Sequence, residues 1–367
     1  MRVVVVGAGL SGLCLVQGLT GIGVEAALFE RDAGPFTRGQ GYRIRIGPEG
    51  VAALRSCLPP PLFDRVVATA GVRSSAVTVL SSGLDVLHRT EFPASPDEGT
   101  AGLSVDRQTL RRLLLSGIEG RTRFGAAVTH YAERPGGVRV SFADGTTADA
   151  DLLVGADGAG SRIRQQLLPG ARLTETGQVL VFGRTVLDDD ARTLTPPASL
   201  EGFATVAGSG GRFMPLAAHR FRERPAGEND YLMWVLGAPA GTFGPGLADR
   251  DGLALRTLVT EIIADWHPAI AELVRRGDPA TVGATVVRTA EPVPPWPTGP
   301  VTLMGDAIHC MIPAGIGAGT ALFDAGLLTS ALRDGRSAAD ALRAYEPAML
   351  DHGFAAVAQS LASVPGR

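Results

Sequence analysis

The first thirty residues of the chain constrain its fold most, because they follow the order strand, glycine-rich turn, helix, strand. Arg2–Val6 is a run of apolar, mostly β-branched residues that suits a strand buried on both faces. The next six residues, Gly7–Gly12, fit the GxGxxG pattern, in which glycines allow a pyrophosphate to approach the N-terminus of the following helix. A second strand, Val24–Glu30, ends in an acid about twenty residues after the glycines. The stretch predicts a dinucleotide site in a parallel α/β sheet.

The acid that ends the second predicted strand narrows the choice of dinucleotide. A carboxylate at Glu30 can accept hydrogen bonds from both ribose hydroxyls of an adenosine, and it would repel a 2′-phosphate. We therefore expect FAD or NAD rather than NADP in this pocket. The alternative, a glycine-rich turn in an ordinary α/β sheet, does not account for the acid at the end of the second strand.

Composition limits the class of protein and the kind of partner. A chain of 367 residues, 45% hydrophobic and 19% charged, is long enough for about two domains with a large core. Its net charge of −3 argues against nucleic acid or a membrane as a partner. Three widely spaced cysteines without a CxxC motif indicate neither a disulfide framework nor a metal site, and we expect a cytoplasmic protein. The sequence contains no lysine, which excludes Schiff-base chemistry.

Changes in residue pattern predict two interleaved domains. Alternating apolar and polar residues over Gly71–Phe92, and strand-like runs from about Gln178 to Arg288, indicate antiparallel strands that interrupt the α/β rhythm. We assign residues 1–72, 100–177 and 284–367 to a nucleotide-binding domain, and residues 73–99 and 178–283 to a substrate-binding domain. An antiparallel sheet can leave one face free to cover a ligand.

Three predicted buried strands each run into a glycine-containing turn, at Gly7, at Gly155–Gly158 and at Gly305. In an open parallel sheet such turns meet at the carboxyl edge of the strands, where ligands bind. Asp306 can there accept hydrogen bonds from ribityl or ribose hydroxyls. The loop Pro313–Gly319 opens a helix and offers backbone N–H groups to a developing anion, such as the one at the pyrimidine end of a reduced flavin.

These motifs resemble those of the single-component FAD-dependent aromatic hydroxylases, the family related to para-hydroxybenzoate hydroxylase. Besides GxGxxG, the chain carries DRxxL at Asp106–Leu110, DG at Asp157-Gly158, GDAxH at Gly305–His309 and PxGxG at Pro313–Gly317, in the family's order and over nearly the whole length. The resemblance implies an α/β fold of the glutathione reductase type, with a Rossmann-like FAD-binding domain and a mostly antiparallel β-sheet substrate domain.

The same resemblance implies an activity and its partners. It implies a monooxygenase in which FAD, transiently reduced by NADPH or NADH, reacts with O2 and, through a 4a-hydroperoxide, hydroxylates or epoxidises an aromatic or polyketide-like small molecule. We expect a monomer or homodimer, and the lysine-free composition fits a role in secondary metabolism. Two alternatives stay open, a flavoprotein oxidase or dehydrogenase and a protein that binds FAD or an intermediate without turnover. A flavin-dependent halogenase is disfavoured because the WxWxIP motif and a lysine are missing.

Candidate site residues follow from the motifs and from the predicted substrate sheet. By resemblance, the expected cofactor contacts are Gly7, Ala8, Gly9, Leu10, Ser11, Gly12, Glu30, Arg31, Arg43, Arg107, Asp157, Asp306, Pro313, Gly315, Gly317, Ala318 and Gly319. The expected substrate contacts, each with ordinary packing as the alternative, are Arg45, Phe182, Arg184, Phe213, Met214, Tyr231 and Trp234. Arg43 is a candidate for either set. No catalytic side chain is expected, since the flavin carries the chemistry.

Other residues of the motifs have structural interpretations. We interpret His309 as a hydrogen-bonded structural residue rather than a base beside the flavin. Arg111 and Arg112 are expected to face solvent. Many relatives have Gln and Asn where this chain has Ile316 and Gly319, so a side-chain contact to the flavin or its support is missing from the loop.

Overall fold

A computed structural model of the chain describes residues 1–35, 37, 42–92, 102–333 and 337–363. The parts of the predicted domains at 36, 38–41, 93–101, 334–336 and 364–367 lie outside the described residues. The strands are β1 (Arg2–Val6), β2 (Glu25–Phe29), β3 (Arg43–Ile46), β4 (Ala76–Ser81), β5 (Val86–Glu91), β6 (Leu103–Asp106), β7 (Thr122–Arg123), β8 (Val128–Arg134), β9 (Gly137–Phe142), β10 (Thr147–Ala150), β11 (Leu152–Gly155), β12 (Leu173–Val186), β13 (Phe203–Ala207), β14 (Phe213–His219), β15 (Tyr231–Pro239), β16 (Gly283–Ala290) and β17 (Val301–Leu303).

The helices join and cover these strands. They are α1 (Leu10–Gly21), α2 (Pro48–Cys57), α3 (Pro60–Ala68), α4 (Arg107–Leu115), α5 (Arg162–Leu167), α6 (Asp189–Leu194), α7 (Pro197–Glu201), α8 (Gly252–Ile262), α9 (Pro268–Arg275), α10 (Asp306–His309), α11 (Gly317–Arg333) and α12 (Ala338–Ala362). Within the described ranges, none of them combines the length and the apolar character needed to cross a bilayer.

Five parallel strands form the central sheet of the nucleotide-binding part, in the order β17–β11–β1–β2–β7. β1 lies in the middle, and four of its five residues are buried, as its β-branched run predicts. α1 packs on this sheet, and α2 and α11 pack on α1 and on each other. Because the strands are parallel, the turns that follow β1, β11 and β17 all lie at the carboxyl edge of the sheet. This edge is where a doubly wound sheet binds ligands.

A second sheet of seven strands has the order β16–β12–β15–β14–β13–β4–β5. Its neighbouring strands are antiparallel except for the parallel pair β13–β4. β12 begins before the predicted boundary at 178 and β16 runs past the one at 283. β4 and β5 come from the first predicted substrate-binding segment and β13, β14 and β15 from the second, so the sheet draws on both, and the exact domain limits stay a prediction.

The two faces of the seven-stranded sheet meet different parts of the molecule. The outer face packs on α8 and α9 through side chains such as Val181 and Leu216. The inner face turns toward the two-stranded ribbon β3–β6, where the ring of Tyr42 lies 4.9 Å from that of Phe182. The ribbon thus stands between the inner face and the central sheet.

Candidate cofactor and substrate site

The turn after β1 requires glycine because backbone segments approach each other closely there. Gly7 has φ +107°, and a Cβ at this position would lie 2.3 Å from the carbonyl oxygen of Ala156. A Cβ at Gly12 would lie 2.1 Å from the carbonyl oxygen of Gly7. Helix α1 begins at Leu10 without a side-chain cap, so N–H groups of its first turn remain available to an anion.

Glu30 follows β2, and its carboxylate is held in place by backbone donors. Oε2 accepts a hydrogen bond from Ala8 N at 2.7 Å, and Oε1 accepts one from Asp32 N at 3.0 Å. The side chain is buried, but each oxygen can accept a second hydrogen bond. The carboxylate is therefore oriented to receive the hydroxyls of a ribose.

Arg111 contributes to this part of the site, and the prediction that it faces solvent is wrong. Its Nε donates to the carbonyl oxygen of Ala8 at 2.9 Å, and its Nη1 donates to that of Pro35. Arg107 and Arg111 are four residues apart on α4 and so lie on one face of the helix. That spacing is the sequence signal that could have placed Arg111 beside Arg107.

These residues line a cleft with a cavity volume of ≈ 460 Å³. The predicted cofactor residues that it brings together are Gly7, Ala8, Gly9, Glu30, Arg31, Arg107 and Asp157. Its apolar end, which sequence reasoning missed, is lined by Phe29, Ala126, Ala127, Val128 and Ala143. The last four lie just before or at the start of β8, or just after the end of β9, and no local motif marks them. Leu10 and Gly12 are buried in the packing of α1.

Asp157 gives a direct test of whether a dinucleotide fits the cleft. Its Oδ2 accepts a hydrogen bond from Arg162 N at 2.8 Å, whereas its Oδ1 is buried and has no partner among the described residues. Burial raises the pKa of Asp157, while hydrogen bonds from Ser161 and Arg162 partly oppose the rise. A buried acceptor that lines a cleft needs a donor, and a sugar hydroxyl provides one. The residues present fit a bound dinucleotide.

A second group of predicted residues lies after β17. Asp306 begins α10 and is exposed, so a ligand can reach its carboxylate. Ser11 lies beside Gly305, because a Cβ at that glycine would be 3.2 Å from the Ser11 hydroxyl. The turns after β1 and β17 are therefore adjacent.

His309 lies beneath this turn. Its Nε2 shares a hydrogen bond of 2.7 Å with Asp324, and both side chains are buried. Burial opposes the charge of His309, but the carboxylate of Asp324 outweighs it and raises the pKa. The same carboxylate oxygen accepts a hydrogen bond from Gly305 N at 2.8 Å. This geometry supports the structural interpretation of His309.

The N-terminus of α11 presents free backbone donors. The first hydrogen bond of the helix runs from Thr320 N to Ile316 O at 3.1 Å, so the N–H groups of Gly317, Ala318 and Gly319 precede the ladder. The preceding loop is exposed at Pro313 and Gly315. A helix of 17 residues adds a positive dipole end to these donors. The end suits an anion.

Packing explains the two departures from the family pattern in this loop. Ile316 packs against the cluster Met311, Ala356 and Val357. At Gly319 the start of α2 is close, since a Cβ on Gly319 would lie 3.3 Å from Gly47 N and a Cβ on Gly50 would lie 2.8 Å from the Gly319 Cα. Where relatives have side-chain amides, this chain thus has apolar packing at Ile316 and a close backbone contact at Gly319.

Three predicted substrate contacts lie on the inner face of the seven-stranded sheet. Phe182 and Arg184 are two residues apart on β12 and so lie on the same face. Phe213 lies over Gly237, where a Cβ would be 2.2 Å from its ring. Arg184 lies 4.0 Å from Glu228, which also pairs with Arg112 at 3.2 Å. Arg45 is exposed on β3.

The other three substrate candidates and one cofactor candidate need correction. Met214 and Trp234 lie on the outer face against α8 and α9, because the period of two places neighbours of inner-face residues there. Tyr231 is on the inner face but fully buried, with its hydroxyl donating to Asp106 Oδ2 at 2.9 Å. Arg43 is not among the residues that line the cleft, and it donates to the Ser74 hydroxyl at 2.7 Å.

Comparison with known proteins identifies relatives over most of the chain. Residues 110–360 match the family model described as FAD binding domain. The chain is 31% identical to the FAD-dependent urate hydroxylase of Klebsiella pneumoniae, over 96% of this chain and 86% of that protein. It is also 31% identical, over 89% of its length, to the dual O-methyltransferase/FAD-dependent monooxygenase elcB of Phaeosphaeria nodorum, but it spans 39% of that protein.

A solved structure extends the likeness to the fold. The crystal structure of Klebsiella pneumoniae HpxO complexed with FAD and uric acid matches with a TM-score of 0.82 and 26% identity, covering 98% of this chain and 87% of that one. The predicted fold class is confirmed by this match.

Proposed function

Since the chain belongs to the family of FAD-dependent monooxygenases, we propose that it uses NADPH or NADH and O2 to hydroxylate or epoxidise an aromatic or polyketide-like small molecule. Two of the relatives point in this direction by name, a urate hydroxylase and the 6-hydroxynicotinate 3-monooxygenase of Pseudomonas fluorescens. The elcB likeness supports a role in secondary metabolism. The three cysteines are buried free thiols, which fits the proposed cytoplasmic compartment.

The cofactor of this proposal is FAD, which supplies electron transfer and the activation of O2 when it is bound. The turn after β1 (the phosphate turn, Gly7–Gly9), together with Glu30 and Asp157, would hold its adenosine and pyrophosphate through the donors and acceptors described above. Asp306 would accept a hydroxyl hydrogen bond, and the N-terminus of α11 would stabilise negative charge.

The observation that best supports this proposal is the partial burial of side chains on the inner face of the seven-stranded sheet. Its central side chains are half-buried although they face the interior of the molecule: Phe203, Thr205, Phe213, Pro215 and Val235. The corresponding side chains of the outer face are almost completely buried, for example Ala204, Val206, Leu216 and Leu236. The inner face therefore retains open space beside an apolar surface, which is suited to an apolar ligand and to the exclusion of water.

A turnover assay tests the proposal. FAD-loaded protein is supplied with NADPH or NADH and a panel of phenolic, indolic and polyketide compounds, and the products are analysed by mass. We expect at least one compound to stimulate nicotinamide oxidation and to gain one oxygen atom. Stimulated oxidation that yields hydrogen peroxide with every compound would support an oxidase instead. A flavin that no compound helps to reduce would support the binding protein without turnover.

A further inference from the structure

The ribbon β3–β6 presents polar side chains to the inner face of the seven-stranded sheet. Arg43 lies directly opposite Asp106, and Arg45 lies opposite Ser104. Residues that are paired in this way, and residues two apart on one strand, share a face. Asp106 identifies that face, since its carboxylate accepts from Tyr231 of the inner face. The other face of the ribbon enters the central core.

Two of these four residues, Asp106 and Arg43, already form hydrogen bonds with other residues of the protein. Asp106 accepts one hydrogen bond from the Tyr231 hydroxyl and another from Thr109 N at 2.7 Å, as the cap of α4. Arg43 donates through Nη2 to Ser74 and lies 5.8 Å from the centre of the Phe203 ring. These contacts tie the ribbon to the inner face.

The remaining donors on this face lack acceptors. Arg43 Nε and Ser104 Oγ are buried without a hydrogen-bond partner in the part of the chain that the structure describes. Arg45 is exposed, and no ion pair or hydrogen bond of its guanidinium is found among the described residues. Buried donors are normally paired, so these groups indicate an acceptor that comes from outside the chain.

The charged side chains around the ribbon leave an excess of positive charge. Asp106 lies opposite Arg43 across the strands, and the one carboxylate of Glu228 is shared by Arg112 and Arg184. His219, which stacks on Tyr231, is uncharged near neutral pH because burial lowers its pKa to about 4. Of these arginines, Arg45 is the one whose guanidinium has neither an ion pair nor a hydrogen bond among the described residues.

We propose that Arg45 and the Ser104 hydroxyl form a subsite for an anionic oxygen substituent of the substrate, a carboxylate or an ionised phenol. This inference rests on the proposed function. Arg45 lies on β3, two residues before Gly47. Gly47 N lies 3.3 Å from the position that a Cβ on Gly319, in the first turn of α11, would occupy. The subsite thus lies between the loop Pro313–Gly319, which we call the flavin loop, and the apolar inner face. A flat apolar body would pack on that face while its anionic group is held at the ribbon.

Equilibrium binding to the FAD-loaded protein, without NADPH or NADH, tests the subsite. The probes are salicylate, a hydroxynaphthoate and an anthraquinone carboxylate, each compared with its amide. We expect at least one acid to bind about tenfold or more tightly than its amide, as a charge-assisted hydrogen bond implies. Arg45→Gln should remove this preference, and Arg45→Lys should keep most of it. Arg134→Gln, an exposed arginine on β8, is the control and should leave the preference unchanged.

Ser104→Ala separates ligand binding from folding. Removal of an unpartnered buried hydroxyl should leave the melting temperature unchanged or raise it, while acid binding weakens. Equal binding of acids and amides, or no binding of any acid, would overturn the subsite. So would an Arg45→Gln variant that keeps the preference or that weakens only FAD or NAD(P)H. If neutral compounds are oxygenated without any preference for acids, the subsite fails while the proposed function stands.

Discussion

At the scale of single residues, Glu30 is the clearest determinant of dinucleotide binding. Glu30→Gln replaces a carboxylate, which only accepts hydrogen bonds, with an amide. The NH2 group of that amide would face the backbone N–H of Ala8 or Asp32, so one hydrogen bond would be lost. Loss of charged hydrogen bonds costs roughly 1.5–3 kcal/mol, so the Kd for FAD should rise about 10- to 150-fold. A fluorescence titration with FAD measures this change. Glu25→Gln, at the exposed start of β2, is the control, and an equal Kd in both variants would contradict the role of Glu30.

Glu346, which does not line the cleft, should make the stability of the folded protein depend on pH. Burial raises its pKa to about 7, nearby polar groups of Thr302 and Trp296 partly oppose the rise, and its Oε1 has no partner among the described residues. Because the folded-state pKa lies above the ordinary glutamate pKa of 4.5, this group's contribution to stability is complete below about pH 4.5 and is lost as the pH rises through 7.

The Glu346→Gln variant tests this dependence through thermal unfolding at several pH values. The variant should melt at a higher temperature than the parent chain at pH 8, and the difference should shrink toward pH 5. Glu261→Gln, at an exposed position on α8, should change neither profile. Parallel profiles for the parent and the Glu346 variant would show that this carboxyl does not titrate with folding.

At the scale of elements, the contact between α2 and α11 positions the flavin loop. A Cβ at Gly50 would lie 2.8 Å from the Gly319 Cα and 2.7 Å from an Ile46 methyl group. Backbone cannot yield as a flexible side chain can, so Gly50→Ala should lower the free energy of unfolding by about 1–3 kcal/mol. It should also weaken FAD binding, because α11 must move. Gly21→Ala, in open space on α1, is the matched control. Urea unfolding that gives equal stability for both variants would contradict this packing.

The elements also show which parts of the site could be predicted from sequence. The strand–turn–helix order around Gly7, and the acids Glu30 and Asp157, are local features, and they lie in one cleft as expected. Which face of β14 and β15 becomes the outer face depends on where α8 and α9 pack, and these helices come later in the chain. The local pattern therefore does not show that Met214 and Trp234 face these helices rather than a substrate. Local patterns give the alternation of a strand but not which of its faces meets a distant element.

At the scale of the whole molecule, the ribbon β3–β6 and helix α4 connect the two sheets. Asp106 caps α4 and binds Tyr231 of the seven-stranded sheet, while Arg111 on the same helix holds the carbonyl oxygen of Ala8. One short helix therefore contacts both the phosphate turn and the substrate sheet. The proposed reaction requires both sheets, one to hold the cofactor and the other to cover the substrate.

The most direct test of this account is the origin of the oxygen atom in the product. FAD-loaded protein, NADPH or NADH and a compound that stimulates turnover are incubated with heavy-isotope O2 in ordinary water, and the product is weighed by mass spectrometry. The account predicts one heavy oxygen in each product molecule, with nicotinamide consumed in step with product. Product oxygen that comes from water, or hydrogen peroxide as the sole product of O2, would contradict a monooxygenase.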